Sequence, residues 1–473
     1  MYIYNSLASF TSTTLITFLF FRFVGVYELL KPIILLKDIE LIKQIGVKDF
    51  EHFLDHRISV DAGIEPIFGN NLSALKGQQW KDMRSTLSPA FTSSKIRLMV
   101  PFMVEVGEQM IASLKKTIMI IDAKDLTTRY SSDVIATCAF GIKVNSMVNR
   151  DNEFMQIGKM TTNFTFTQIL KFLCYNSWPA LTQVNKVDDF FKNIISGTIR
   201  SREENNILRP DMIHLLMEAK KGMILYLLKT FRINNNCQFS TFQISDGSEH
   251  INTAFWTDNE LIAQAALFFI AGFDTVGTAM TFLLHELALN PECQEKLYEE
   301  IQETEVMNGG FDYNAVQNMK YLDMIISELL RKWPPASIID RIVTKTYNLG
   351  RPNKDATEDY IIEKGEGVWL PIWAIHHDPN YYENPHKFDP ERFSNENKHK
   401  IKSGTYIPFG VGPRNCIGSR FALCEMKVMA YQLINHVELL PCEKTCIPSK
   451  LNPKNFPLRL KGGHWLKIRN RVK

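Results

Sequence analysis

The chain has 473 residues, and 45% of them are hydrophobic, which is enough to build a large core. Its formal net charge of +3 predicts neither a nucleic-acid-binding protein nor one that seeks acidic partners. The eight cysteines lack the spacing of a disulfide framework, so they suit a reducing, cytosol-facing compartment. Since no repeat and no flexible linker divides the chain, we expect one large domain.

The amino end, residues 1–22, is an apolar segment with an open role. Its first 21 residues carry no charge, but eight of them are Ser, Thr or Asn, which weakens the prediction of a membrane span. Strand-forming residues begin at Phe23, so only one or two residues would connect a membrane-spanning helix to the first strand. We therefore expect a poor anchor at residues 1–22, with a short working anchor as the alternative, and a folded domain over residues 23–473.

Two side chains that suit a carboxylate partner lie on one face of the next clear helix. The run that begins at Gly77 places Trp80 and Arg84 four residues apart. An indole N–H beside a guanidinium can bind a carboxylate in two places. An arginine stacked on a surface tryptophan is the alternative.

Helical spacing of apolar residues predicts core and lid helices in the middle of the chain. These segments are Asp125–Gly141, Met155–Leu173, Val187–Thr198 and Asp211–Lys220. None carries chemistry that the sequence identifies, and the stretch 221–253 is left as loop of unknown role.

A long helix follows. Thr257 and Glu260 form a capping box, and no breaker occurs before Asn290, which gives roughly 33 residues or about 50 Å. Its middle is apolar on all sides and is therefore predicted to be buried. Asp274 and His285 within the same helix argue against a membrane span.

The sequence Ala271-Gly272-Phe273-Asp274-Thr275 interrupts this apolar helix. A glycine costs a helix about 1 kcal/mol and a buried carboxylate costs several more, so the run is predicted to serve a site. We expect Gly272 to leave room for a flat cofactor or a diatomic ligand. Thr275 is expected to hydrogen-bond the backbone and open the helical turn for water. A satisfied buried Asp–Thr network without function is the alternative.

Two further patterns follow the long helix. Glu328 and Arg331 are three residues apart on one face of a helix, where an exposed pair contributes only about 0.2–0.5 kcal/mol. The stretches Tyr360–Ile375 and Pro457–Ile468 each predict a β-hairpin.

The loop Pro408–Gly418 presents a single cysteine. Three glycines and two prolines in eleven residues exclude a helix, and a helical pattern starts directly after Cys416. A helix N-terminus favours a thiolate. No other cysteine has zinc-site spacing, so a lone sulfur ligand suits haem iron, with Arg414 facing a propionate. A small buried cysteine without function is the alternative.

These motifs resemble those of the cytochrome P450 superfamily. Phe409 to Gly418 matches its haem-binding loop, with Phe, Gly, Arg and Cys at every defining position. Ala271 to Thr275 resembles its oxygen-activation motif, although Val276 replaces a commoner hydroxyl residue. Runs such as Arg331-Lys332-Trp333-Pro334-Pro335 look most like microsomal insect members of the xenobiotic-metabolising kind.

The resemblance implies roles for individual residues. Cys416 would be the metal ligand, and Asp274 and Thr275 would be catalytic and deliver protons. The cofactor-binding set would be Trp80, Arg84, Ala271, Gly272, Arg341, Phe409, Arg414 and Cys416. Glu328 and Arg331 would form a buried structural pair with Arg392 of the Pro390-Glu391-Arg392-Phe393 segment.

The implied fold is mainly α with a smaller β portion, a single large haem domain. The implied function is mono-oxygenation of an apolar small molecule, with haem b as cofactor. NADPH–cytochrome P450 reductase would supply electrons, with cytochrome b5 as an optional partner, at the cytosolic face of the endoplasmic reticulum membrane. A same-fold enzyme that rearranges peroxides, and a non-catalytic haem carrier or defective copy, remain as alternatives.

Overall fold

The computed structural model describes residues 21–28, 31–57, 62–63, 65–114, 118–162, 184–218, 220, 257–452 and 458–471. The expectations for residues 1–20, for the second half of the Met155–Leu173 helix and for the stretch 221–253 lie outside these ranges.

The helices in these ranges are α1 (Ile39–Lys43), α2 (Pro66–Gly69), α3 (Gly77–Leu87), α4 (Ser93–Ser113), α5 (Ala123–Phe140), α6 (Glu153–Thr162), α7 (Val184–Asn205), α8 (Asp258–Leu289), α9 (Pro291–Asn308), α10 (Tyr313–Asn318), α11 (Lys320–Lys332), α12 (Ile372–His376) and α13 (Ser419–His436). Residues 212–218 are also helical.

The strands are β1 (Phe23–Glu28), β2 (Lys31–Leu36), β3 (Ile118–Asp122), β4 (Ile339–Ile342), β5 (Tyr347–Asn348), β6 (Ile361–Ile362), β7 (Gly367–Leu370), β8 (Val437–Leu440) and β9 (Trp465–Asn470). They form three sheets in the described part of the chain, with strand orders β1-β2-β7-β4, β3-β9-β8 and β5-β6. Helices outnumber and outsize the strands, as predicted.

Helix α8 is the central element, and its predicted capping box is present. The Thr257 hydroxyl accepts the Glu260 N–H, and the Glu260 carboxylate accepts the Thr257 N–H at 2.8 Å. The helix is long and apolar enough to cross a membrane, but most of it is packed inside the protein. It is therefore a core helix, as its polar residues predicted.

Helix α5 packs along α8 and fixes one wall of the site. Its start is capped by Asp122, whose carboxylate accepts the Lys124 N–H at 3.0 Å. Its end is Gly141, which takes the left-handed conformation that stops a helix. Helix α13 lies against α4 on the other side of the same core.

Both hairpin predictions were wrong. Strand β6 pairs with β5, while β7 lies between β2, to which it is parallel, and β4. Strand β9 pairs with β3 and β8. All four residues of β7 are buried, so its backbone N–H and C=O groups need partners, and β2 and β4 provide them on its two edges.

Candidate functional site

A cavity lies between α8, α3 and the loop that precedes α13. The cavity and its open mouth hold about 1030 Å³ of empty space. Most of its lining is apolar, with a polar portion where α3 meets the loop. The predicted site residues that line it are Trp80, Arg84, Ala271, Gly272, Thr275, Arg414 and Cys416, whereas Asp274, Arg341 and Phe409 do not.

Cys416 sits on the cavity wall with its surface exposed to the cavity. Its backbone N–H donates to the Phe409 carbonyl at 2.9 Å, which closes the loop and explains the place of Phe409 in the motif. Burial raises the pKa of the thiol, and the Gly418 N–H and Arg84 offset only part of this rise. The N–H of Gly418, the residue that caps α13, thus favours the thiolate as predicted, but burial has the larger effect.

Arg84 holds this loop in place. Its guanidinium donates to the carbonyl and to the side-chain oxygen of Asn415, both at 2.9 Å. The alternative, in which Arg84 stacks on Trp80, is not observed, since the guanidinium carbon of Arg414 lies 4.7 Å from the Trp80 ring centre. A loop arginine, not the helical one, stacks on the indole.

The Arg414 side chain is buried, and backbone carbonyl groups accept its hydrogen bonds. It donates to the carbonyls of Leu54, Ser73 and Leu75 at 3.0, 3.2 and 2.7 Å, and its Nε has no hydrogen-bond partner. Burial, followed by repulsion from Arg341, lowers the pKa of its guanidinium to about 10.

Arg341 is only 1% exposed and lies behind the cavity wall. Its Nη1 donates to the Asp340 carbonyl at 2.8 Å, and its buried Nη2 has no partner. Crowded cations with unpartnered N–H donors cost free energy unless an anion joins them. Arg341 and Arg414 therefore fit an anionic group, and the carboxylates of haem are such a group.

Helix α8 presents one face to the cavity. Ala271 and Thr275, one turn apart, are exposed to it, although Phe273, Asp274 and Val276 beside them are buried. The Thr275 hydroxyl donates to the Ala271 carbonyl at 2.5 Å, as expected. Gly272 lines the cavity, and a Cβ at this position would lie 2.8 Å from Ile135 Cδ1 on α5. This glycine thus allows α5 to approach closely.

Asp274 faces away from the cavity. Its carboxylate accepts from Lys124 Nζ at 2.8 Å, and the same ammonium group donates to the Thr278 hydroxyl at 2.9 Å. Both charged side chains are less than a tenth exposed. Burial lowers the pKa of Lys124, with Asp274 opposing the shift. The expected Asp–Thr cooperation is therefore not preformed, because the carboxylate is bound to α5.

The predicted ion pair of Glu328 and Arg331 is present. Arg331 donates to both carboxylate oxygens of Glu328 at 2.7 and 2.8 Å, and neither side chain is exposed. Arg392 Nε lies 3.5 Å from Glu328 Oε1. Arg331 also donates to the His376 carbonyl, so the pair joins α11 to α12 and to the segment that leads into the loop.

Sequence reasoning missed His56, Asn415 and Lys124. His56 and Asn415 line the cavity, and Lys124 neutralises the candidate catalytic carboxylate. No periodicity or spacing signals His56 or Lys124. Asn415 lies inside the loop motif, and its position between Arg414 and Cys416 was the one available indication.

Few side chains at this site could bind a metal ion. In the described ranges no group of three or more His, Cys, Asp or Glu side chains gathers as a metal site. A thiol alone on an apolar cavity wall suits a metal whose other ligands come from a macrocycle. The largely apolar cavity, the lone thiol on its wall and the cationic rim together define a haem-thiolate protein.

Comparison with known proteins agrees with this class. The family described as Cytochrome P450 matches residues 19–466. Cytochrome P450 9e2 of Blattella germanica is 44% identical over 96% of this chain and 86% of its own length. Probable cytochrome P450 9f2 of Drosophila melanogaster is 41% identical over 94% of this chain and 86% of its own length. Cytochrome P450 6k1 of Blattella germanica is 36% identical over 93% of this chain and 83% of its own length. The chain belongs to the cytochrome P450 family and is a monooxygenase similar to insect members.

Proposed function

We propose that this chain inserts one oxygen atom of O₂ into an apolar small molecule, with haem b as cofactor and Cys416 as the only protein ligand to its iron. The observation that carries this proposal is the Cys416 thiol on the wall of a largely apolar cavity. When bound, haem supplies the iron at which dioxygen is reduced, and a thiolate ligand favours O–O cleavage.

Other residues around the cavity bind the cofactor and exclude water. Arg84, Arg341, Arg414 and Trp80 hold the carboxylates of the cofactor, and Arg84 also fixes the loop through Asn415. The apolar rings of Phe91 and Phe268, which meet edge to face at 5.2 Å, exclude water from one side. Such walls favour an apolar substrate.

Thr275 and Asp274 supply protons at the cavity. The Thr275 hydroxyl, held by the Ala271 carbonyl, is the polar side chain that α8 exposes there. Asp274 is the adjacent residue and must leave Lys124 before its carboxyl can reach the cavity side of the helix. Release of this buried ion pair then accompanies proton delivery.

Electrons come from NADPH through cytochrome P450 reductase, with cytochrome b5 as an optional donor. Lys398, Lys400, Lys402 and Arg420 are a basic set that flanks the Cys416 loop in sequence. Lys398 and Lys400 donate only to nearby asparagines, and Arg420 is exposed. An acidic reductase fits such a surface, and we place the protein at the cytosolic face of the endoplasmic reticulum membrane.

The test of cofactor and ligand is the carbon-monoxide difference spectrum of the reduced protein. We expect a thiolate-type spectrum in the parent and its loss in Cys416→Ser. Cys424→Ser is the matched control, because Cys424 is buried on α13 outside the cavity. A thiolate-type spectrum that survives in Cys416→Ser and disappears in Cys424→Ser would reverse the assignment. Turnover without NADPH or reductase would instead favour peroxide rearrangement.

The test of the electron donor is the salt dependence of reductase-supported turnover. Neutralising Lys398, Lys400 and Lys402 together should raise the apparent KM for reductase and flatten its salt dependence, because steering charges act through association. A matched change of three lysines elsewhere, at Lys31, Lys345 and Lys364, should have no such effect. An unchanged salt profile in the first variant would remove these lysines from the interface.

A further inference from the structure

Gln264 is a polar residue inside the apolar stretch of α8. The run Leu261–Phe273 contains no other polar side chain, and Gln264 is fully buried. Burying an amide costs free energy unless its groups find hydrogen-bond partners. A residue of this kind on a core helix therefore has a role other than apolar packing.

The Gln264 amide bonds to a segment that forms part of the cavity wall. Its Oε1 accepts the Leu72 N–H at 2.8 Å, and its Nε2 donates to the Asn70 carbonyl at 2.7 Å. A longer contact of Nε2, 3.3 Å, reaches the Glu260 carbonyl one turn back on α8. Because one amide pairs with an N–H and a C=O two residues apart, it holds this backbone as a neighbouring strand would.

The loop that carries Cys416 holds the same segment from its other end. Arg414 donates to the carbonyls of Ser73 and Leu75 at 3.2 and 2.7 Å. Residues 70–75, here called the wall segment, thus connect α8 to this loop. Leu72 and Ser73 of the wall segment line the cavity between the two.

The position of Gln264 on α8 shows how it can act. Gln264, Phe268, Ala271 and Thr275 follow one another at steps of three or four residues, which places them on one face of the helix. The last three line the cavity, whereas Gln264 is covered by the wall segment. Gln264 therefore acts on a molecule in the cavity through Leu72 and not by contact.

We propose that Gln264 is a positioning residue for substrate selection: it fixes the Leu72 side chain in the cavity wall and thereby excludes bulky apolar molecules that need Leu72 to move. This inference rests on the proposed function. A side chain on a free loop yields to a larger ligand. Leu72 cannot do so without leaving a buried N–H and a buried C=O unpaired, which is costly.

The experiment measures the Kd of two haem-binding probes by the change in the absorption spectrum of the ferric protein. The slim probe is imidazole with an n-butyl chain on one nitrogen, and the bulky probe is imidazole with a biphenyl group at the same place. The ratio of the two Kd values reports the shape of the cavity, because a change in the haem itself affects both probes. Gln264→Leu keeps the side-chain volume and removes both bonds, so the bulky probe should gain about fivefold over the slim one.

A double variant tests whether Gln264 acts through Leu72. Leu72→Ala should itself favour the bulky probe, because it removes most of this side chain from the wall. If the wall segment transmits the effect, adding Gln264→Leu to Leu72→Ala should change the ratio by less than about twofold. A change as large as that in the parent background would overturn the inference.

Gln294→Leu is the matched control. Gln294 is also buried on a helix, α9, where its Oε1 accepts the Leu439 N–H at 2.7 Å and its Nε2 donates to the Leu439 carbonyl at 2.9 Å. Leu439 belongs to β8, away from the cavity. This variant should lose stability as Gln264→Leu does but keep the probe ratio of the parent. An equal shift of the ratio in both variants would overturn the inference, because general loosening would then explain it.

The spectra separate failure of this inference from failure of the proposed function. Loss of the thiolate-type carbon-monoxide spectrum in the parent would overturn the proposed function itself. A normal spectrum in the parent and in Gln264→Leu, with the same probe ratio in both, would overturn this inference alone. If Gln264→Leu does not fold, Gln264→Met, whose flexible side chain fills the same space, is measured against the same criteria.

Discussion

At the scale of single residues, Thr275 exposes a hydroxyl side chain to the cavity. It lies one turn from Ala271 on a largely buried helix, and its hydroxyl donates a hydrogen bond to the Ala271 carbonyl. A side chain this far inside the protein meets solvent only through the cavity. The proposed function therefore gives this hydroxyl a part in the reaction.

Thr275→Ala should keep haem and substrate binding but lower the yield of product per NADPH, because proton delivery is lost while electron supply continues. The measurement compares NADPH consumed with product and hydrogen peroxide formed. Thr281→Ala is the matched control, since Thr281 makes the same type of bond, to the Gly277 carbonyl at 2.6 Å, away from the cavity. Equal coupling in Thr275→Ala and the parent would remove Thr275 from the mechanism.

At the scale of elements, the junction of α5 with α8 joins packing to chemistry. Gly272 admits Ile135, and Lys124 reaches across to Asp274. A buried ion pair contributes little net stability compared with an apolar pair, but removing one partner is costly. The pair therefore fixes where the Asp274 carboxylate rests, and its separation must accompany any movement of that side chain.

Lys124→Met should lower the free energy of unfolding by about 3–5 kcal/mol, because Asp274 is left buried without its cation. The double variant Lys124→Met/Asp274→Asn should regain a large part of the lost free energy of unfolding, since the uncompensated charge is gone. Lys192→Met is the control: that lysine is 44% exposed and 4.0 Å from Asp188. Chemical denaturation of the haem-loaded proteins provides the values. Equal stability of Lys124→Met and the parent would contradict the burial argument.

At the scale of the whole molecule, several histidines are buried in the core, and two of them, His285 and His376, join segments that lie apart in the chain. His376 accepts the Ile407 N–H through Nε2, and His464 accepts the Leu460 N–H in the same way. His285 pairs with Ser449 at 2.8 Å. Burial lowers the pKa of His285 to about 4 and those of His376 and His464 to about 3. These rings are therefore neutral in the folded protein.

Stability should fall as pH drops below about 6.5. In this range the unfolded chain binds protons that the folded protein cannot, so each of these histidines should remove about 2 kcal/mol by pH 5. Unfolding by urea at about pH 7.5 and about pH 5 gives the size of the effect. His285→Gln should lose about 2 kcal/mol less than the parent between the two values. An identical loss would show that His285 does not contribute.

Features that depend on neighbours within one or two turns could be predicted from the amino-acid sequence. The capping box at Thr257, the unbroken length of α8, the bond from Thr275 to Ala271 and the presentation of Cys416 all follow from local hydrogen bonds and backbone preferences. Buried Glu328 and Arg331 followed from their three-residue spacing only with help from family resemblance.

Contacts between residues that lie far apart in the chain became visible only in the folded structure. Asp274 meets a lysine 150 residues away, Arg414 replaces Arg84 over Trp80, and His56 joins the cavity through Asp340, 284 residues distant. Strand β7 likewise finds its neighbours in β2 and β4. Local patterns cannot predict such contacts, because a buried charge or a central strand is satisfied by whichever partner the packed fold brings near.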